Sequence, residues 1–151
     1  MTLRVVVGSD DAGFEYKEVI KSDMGDDKRI ASVFDVGVDS DSHTFYPSIA
    51  TTAAEIVARG DADRAILICG TGLGVAIAAN KVKSIRAATA HDSFSVERSI
   101  MSNDAQILCM GQRVIGLELA RRLAREWIGY TFDPTSASND KVAQISSYES
   151  R

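Results

Sequence analysis

The sequence is poor in residues that build covalent frameworks or metal sites. Its 151 residues include only two cysteines, Cys69 and Cys109, and two histidines, His43 and His91. Two cysteines make no disulfide framework, and in a reducing compartment a bond between them is not expected. No Cys/His cluster has metal-ligand spacing, so no metal is expected. No apolar run approaches the ~18 residues of a membrane span. The opening Met1-Thr2-Leu3-Arg4-Val5-Val6-Val7-Gly8 has too short an apolar run for a signal peptide, so the expected location is the cytoplasm. Basic residues are also outnumbered. With 17 Lys and Arg against 21 Asp and Glu, the formal charge is −4, which argues against a large nucleic-acid footprint. A small anionic ligand stays open, because one or two arginines suffice for it.

What is present reads as one soluble domain over residues 1–151, long enough to bury its own core. The composition, 45% hydrophobic and 25% charged, is ordinary for a globular protein. Five short apolar runs, Arg4–Gly8, Ser32–Val36, Ala65–Cys69, Arg86–Thr89 and Ala105–Met110, have the character of buried strands. Helical periods separate them. Ile49, Ala53, Ile56 and Val57 form one stripe. Leu117, Ala120, Ala124, Trp127 and Ile128 form another, with Arg121, Arg122 and Arg125 opposite. Tyr16, Val19 and Ile20 make a weaker stripe after the first run. This alternation predicts an α/β fold, a parallel sheet with helices on both faces. Residues 133–140 are polar and lead to a short amphipathic tail, Val142 to Tyr148, suited to packing on a partner subunit.

In such folds ligands bind outside the carboxyl ends of the strands. The residues to inspect are therefore Ser9-Asp10-Asp11, Gly37 to Tyr46, Cys69 to Gly74, His91-Asp92 and Gly111 to Arg113. The sharpest motif is Cys69-Gly70-Thr71-Gly72-Leu73-Gly74, between the third strand and a helix over Val75 to Lys81. Three glycines let backbone N–H groups converge beside a helix N-terminus, which makes an anion site. A tight βα turn or half a dinucleotide fingerprint is the blander explanation. The spacing is G-x-G-x-G, it follows the third strand, and no acidic residue ends the next strand to hold a ribose.

Cys69 abuts this loop, where the amides would favour its thiolate as nucleophile or base. A small buried hydrophobe is the alternative, and Cys109 is assigned that role. A cysteine-dependent hydrolase would need His91, the one plausible partner. A non-catalytic phosphate- or nucleotide-binding module would need only the glycine loop. Asp10 and Asp11 serve either as helix caps or as acceptors for substrate hydroxyls. Asp92 suits an N-cap, and Arg113 either the surface or a phosphate clamp.

Together, Val7-Gly8-Ser9-Asp10, Tyr46-Pro47, Ile68 to Gly74, Ala78-Ala79-Asn80-Lys81-Val82, Ile85-Arg86-Ala87, His91-Asp92, Asn103-Asp104-Ala105 and Gly111 to Gly116 resemble the ribose-5-phosphate isomerase B family. That family also includes galactose-6-phosphate isomerase subunits and isomerases of tetrulose phosphates. The resemblance runs from about Leu3 to Trp127. It implies a Rossmann-like three-layer αβα sandwich with a five-stranded parallel sheet, and a homodimer or homotetramer with sites at the interface. It further implies interconversion of aldose and ketose phosphates through a cis-enediolate, without cofactor or metal. Ribose 5-phosphate is the first substrate to expect.

Residue by residue, Cys69 resembles the family's base and Thr71 its hydroxyl partner. The Gly70 to Gly74 amides, Leu73 included, resemble the hole for the enediolate oxygen. Asp10, Asp11, Tyr46, His91 and Asn103 fall at or beside substrate-binding positions, and Arg113 at a phosphate-side position. Some members place a glutamate base where this chain has Leu73, which cannot take a proton. The pattern is broken at three places. Asp11 stands where the family often has histidine. Ser102 stands where a ring-opening histidine usually precedes the asparagine. The C-terminal phosphate-clamping arginines are absent, leaving Lys141, or Arg98 in another helix, to supply charge. A five-carbon 5-phosphate closes to a furanose and needs ring opening. A four-carbon 4-phosphate has its ring-forming hydroxyl esterified and stays open. Loss of the histidine therefore makes a tetrulose 4-phosphate the alternative substrate, and Ser95-Val96-Glu97-Arg98 also looks more like those members.

Overall fold

Residues 1–150 are described by a computed structural model. Five parallel strands, β1 (Leu3–Ser9), β2 (Ile30–Asp35), β3 (Arg64–Cys69), β4 (Ala87–Thr89) and β5 (Ile107–Gly111), lie in the order β2-β1-β3-β5-β4. Six helices accompany them: α1 (Phe14–Gly25), α2 (Tyr46–Ala58), α3 (Leu73–Ala79), α4 (Ser93–Met101), α5 (Leu117–Trp127) and α6 (Asn139–Tyr148). The fold is Rossmann-like, as the resemblance implied.

The crossovers explain which helix covers which face. The chain moves one way along the sheet from β1 to β2 and from β4 to β5, and the other way from β2 to β3 and from β3 to β4. Right-handed connections then require α1 and α4 on one face and α2 and α3 on the other. The cores divide that way. Ile20, Met24, Val96, Ile100, Leu123 and Trp127 pack together on one side of the sheet. Ala50, Ala53, Val57, Val75 and Ala79 pack on the other.

Alternation along the central strands feeds both cores. Ile66 and Ile68 enter the first, while Leu67 and Cys69 enter the second. β1, β3 and β5 are covered on both faces, which is why they are nearly continuous apolar runs. β2 departs from the expectation of a buried strand. It is an edge strand, and its Phe34 is 44% exposed. Arg121 likewise leaves the solvent side and ties α5 to α1 through Asp23 at 2.8 Å.

One polar anchor shapes the loop that precedes α2. Lys17, only 1% exposed, places Nζ 2.8 Å from Asp35 and donates to the Val38 carbonyl at 2.7 Å. Burial would push the Asp35 carboxyl up, but Lys17, Lys21 and the Gly37 amide outweigh it and hold it below its ordinary value. Both ends of the anchor are thus satisfied, and the chain after β2 is gripped from below.

Candidate active site

The chain leaves β1 toward β2 on one side and returns to β3 on the other. The crevice between the carboxyl ends of β1 and β3 is therefore the switch point, where ligands bind in open α/β sheets. Ser9 pairs with Ile68, so Asp10 and Cys69 emerge side by side at that crevice.

Cys69 belongs to the core on the α2 and α3 face of the sheet, together with Leu67, Val75 and Ala76. The Gly72 amide donates to its Sγ at 3.1 Å. Gly72 itself adopts φ +75°, which lets the chain turn from this loop into the following helix while its N–H stays on the sulfur. A Cβ at Gly72 would lie 2.8 Å from the Met110 carbonyl carbon, so the loop is pressed directly onto β5. Thr89 Oγ1 donates to the Gly72 carbonyl at 2.6 Å. The Gln112 and Arg113 amides donate to the carbonyls of Cys69 and Gly70. Three hydrogen bonds and the close approach to Met110 thus clamp the loop between β4 and the end of β5.

Cys69 is only 4% exposed, the burial that the alternative of a small buried hydrophobe calls for. Two expectations change here. The Gly70 to Gly74 amides are not all free for a ligand. Gly72 gives its N–H to Sγ, and Leu73 gives its own to Thr71 Oγ1 at 3.3 Å. The following helix also begins earlier, at Leu73, and spans seven residues.

Around this loop the other expected residues gather. A Cβ at Gly74 would lie 2.6 Å from the Tyr46 ring, so only glycine lets Tyr46 cover the loop's end. The Arg113 side chain arches over Gly70, its Nη1 3.5 Å from where a Cβ would stand, with Ala12 on the same spot at 3.7 Å. Among the described residues no carboxylate is ion-paired with Arg113. Asp10 accepts from the Gly13 amide at 3.2 Å, so its capping role holds. Asp11 does something the sequence did not disclose. Its Oδ2 lies 2.8 Å from His43 Nδ1. Asp10, Asp11, His43, Thr44, Phe45 and Tyr46 line a cavity of about 270 Å³. His43 was inside the stretch marked for inspection, but 32 residues separate it from Asp11, and no motif joins them.

Other expected residues are not brought here. Asn103 precedes β5, so it sits at the amino end of the sheet, opposite Cys69. There it lines a cavity of about 450 Å³ with Asn80, Arg86, Ile145 and Tyr148. Lys141 is on α6, whose apolar face borders that same cavity and whose C-cap Glu149 accepts from the Ser84 amide at 2.9 Å. A chain's own Asn103 therefore cannot touch its own Cys69.

His91 is close, but its Nε2 accepts from the Gly111 amide at 2.8 Å. Burial holds His91 below its ordinary value, with Asp92 opposing in part, so it is the neutral ring that takes this bond. It steadies the Gly111-to-Arg113 turn and offers that nitrogen to no thiol, which removes the basis of a Cys–His hydrolase. Asp92 caps α4 through the Ser95 amide at 2.7 Å, as expected. Cys109 is fully buried, and burial, together with Cys69 nearby, pushes its thiol well up. Among the described residues no His, Cys, Asp and Glu cluster could hold a metal, and no helix is long and apolar enough to cross a membrane.

Comparison with known proteins agrees with this arrangement. The model of the ribose/galactose isomerase family matches residues 5–145. D-erythrulose-4-phosphate isomerase 2 of Mycolicibacterium smegmatis is 64% identical, over 99% of each chain. Ribose-5-phosphate isomerase B of Escherichia coli is 37% identical, over 98% of this chain and 97% of the other. The ribose-5-phosphate isomerase B structure from Clostridium thermocellum superposes with a TM-score of 0.91 at 38% identity, covering 98% of both chains. With nearly the whole chain matched and the glycine loop in place at the switch point, this protein belongs to the ribose/galactose isomerase family and is an enzyme of the aldose–ketose isomerase type.

Proposed function

We propose that the substrate is a tetrulose 4-phosphate, interconverted with the corresponding aldose phosphate, and that Cys69 is the base. The observation that carries the choice of substrate is the 64% identity, end to end, with an erythrulose-4-phosphate isomerase. Ser102 supports it independently. A serine cannot take up the ring-opening work of an imidazole, and an open-chain four-carbon substrate does not ask for it. Ribose 5-phosphate is the competing reading.

In the mechanism, the Cys69 sulfur, held by the Gly72 amide, takes the proton from the carbon beside the carbonyl. A charged acceptor strengthens that hydrogen bond. Loop amides not committed to Cys69 or Thr71 meet the developing oxyanion. One such donor is worth about 3 kcal/mol in comparable acyl-transfer sites. Cys69 then returns the proton to the neighbouring carbon. Arg113, lying over Gly70, binds the phosphate. The roles of Asp10 and Tyr46 are to accept substrate hydroxyls and to wall the cavity.

A second copy of the chain completes the site in this reading. Leu73 and Ile77 lie one turn apart on α3 and are 56% and 63% exposed, and Val114, beside Arg113, is 52% exposed. Such apolar surface around a catalytic loop suits a partner subunit, which would also deliver Asn103 and Lys141 from the far end of its own sheet. A monomeric mass by light scattering at assay concentration would remove this part.

The substrate is tested by kcat/KM for erythrulose 4-phosphate, ribose 5-phosphate, allose 6-phosphate and galactose 6-phosphate. The expected result is a preference for the four-carbon ester of at least about tenfold, the usual scale for a misfitted group. A higher value for ribose 5-phosphate overturns the substrate assignment and leaves the isomerase assignment standing.

A further inference from the structure

We propose that His43, oriented by Asp11, carries the oxygen-bound proton between the two substrate oxygens during isomerisation. This rests on the isomerase reading of the same site and adds a residue to it. A sulfur that moves the carbon proton does only half of the reaction. The hydroxyl proton must also leave one oxygen and reach its neighbour.

Thr71, the hydroxyl partner that the resemblance implies, is one candidate for that task. A hydroxyl can relay a proton but cannot hold an extra one near neutral pH, whereas an imidazole does both. The chain has two imidazoles. His91 has committed Nε2 to the Gly111 amide, which leaves His43.

The geometry suits the role. With Nδ1 2.8 Å from the Asp11 carboxylate, the neutral ring keeps its proton on Nδ1, and Nε2 presents a lone pair. Both side chains are open, 78% exposed for His43 and 59% for Asp11, and both line the cavity of about 270 Å³ with Asp10 and Tyr46. The chain around that cavity meets the glycine loop at two points. Tyr46 lies on Gly74, and Ala12, the residue after Asp11, approaches Gly70. The segment carrying His43 is braced from within. Ser42 Oγ accepts from the Asp39 amide at 3.0 Å, Asp39 accepts from the Asp41 amide at 2.9 Å, and Lys17 grips the Val38 carbonyl.

From the aldose, Cys69 thiolate removes the C2 proton, and the electrons form the C1–C2 double bond and place charge on O1. His43 Nε2 accepts the O2 proton, and Asp11 stabilises the imidazolium. That proton passes to O1. O2 then closes to the ketone as the Cys69 thiol gives its proton to C1. The thiolate and the neutral imidazole are both restored.

The test follows two rates in D2O with erythrulose 4-phosphate or its aldose: isomerisation, and deuterium appearing in recovered, unisomerised substrate. In His43→Ala, isomerisation should fall about 100-fold, a typical share for a positioned acid–base group, while deuterium wash-in through Cys69 persists. The ratio of wash-in to isomerisation therefore rises. Asp11→Asn should fall about tenfold in the same sense, and added imidazole should restore part of the His43→Ala rate because the position is open to solvent. Unchanged isomerisation in His43→Ala, or an equal fall in both rates, overturns the proposal. A wild-type chain inactive on every sugar phosphate overturns instead the isomerase reading beneath it.

Discussion

Cys69→Ala is expected to lose at least about 100-fold in kcat while the protein stays folded, the loss that follows when a positioned proton-transfer group is removed. The fold should tolerate the change. Cys69 is 4% exposed and ends its strand, and alanine fits within the space of the thiol. The Gly72 amide loses its acceptor, at a cost on the order of 1 kcal/mol. Cys69→Ser separates the two roles of the sulfur. Its hydroxyl can still accept from the Gly72 amide, so stability returns toward wild type, but an alcohol is a poor base and activity stays low. Steady-state kinetics and thermal unfolding of the two variants check both halves. Near-native kcat in either variant would take Cys69 out of the mechanism.

Gly72→Ala is expected to be nearly as damaging by a different route. Its φ of +75° costs a residue with a Cβ about 1–2 kcal/mol. The new Cβ would also stand 2.8 Å from the Met110 carbonyl carbon and 3.1 Å from the Gly111 nitrogen, both backbone atoms that cannot swing aside. The loop must lift off β5, and the amide that faces Sγ lifts with it. A lowered melting temperature together with a fall in kcat of at least about 100-fold follows from losing the positioned sulfur. Gly70→Ala is the control. A Cβ there meets only Arg113 at 3.5 Å and Ala12 at 3.7 Å, so its effect on melting should be small. Equal melting temperatures for the two variants would show that the clamp on β5 is not what holds the loop.

Much of this was legible in the sequence because it depends on local pattern. The Val run of β1 and the Ile and Leu runs of β3 and β5 are apolar on both faces, and only a central parallel strand needs that. The glycine loop after β3 declares itself by composition. β2 departs from expectation because the five-residue run Ser32–Val36 does not say whether a neighbour covers it, and Phe34, 44% exposed, shows that one side is open. Asn103 was placed at the site through the resemblance, although its position before β5 already put it at the amino end of the sheet. The Asp11–His43 pair was hidden for another reason. It is made by two loops that meet only after β1 and β2 pair and Lys17 draws the second loop down. The sulfur's claim on the Gly72 amide was equally hidden, since it follows from the path of the whole loop and not from residue types.

The proposed mechanism requires one particular sulfur, that of Cys69, to meet the substrate. The direct measurement is the rate of iodoacetamide modification at each cysteine, read by mass spectrometry with and without erythrulose 4-phosphate and followed alongside activity. Cys69 should take up a single label in step with the loss of activity, slowed by the sugar phosphate, while Cys109 stays unlabelled. Activity that survives full labelling of Cys69, or labelling that the sugar phosphate does not slow, would contradict it.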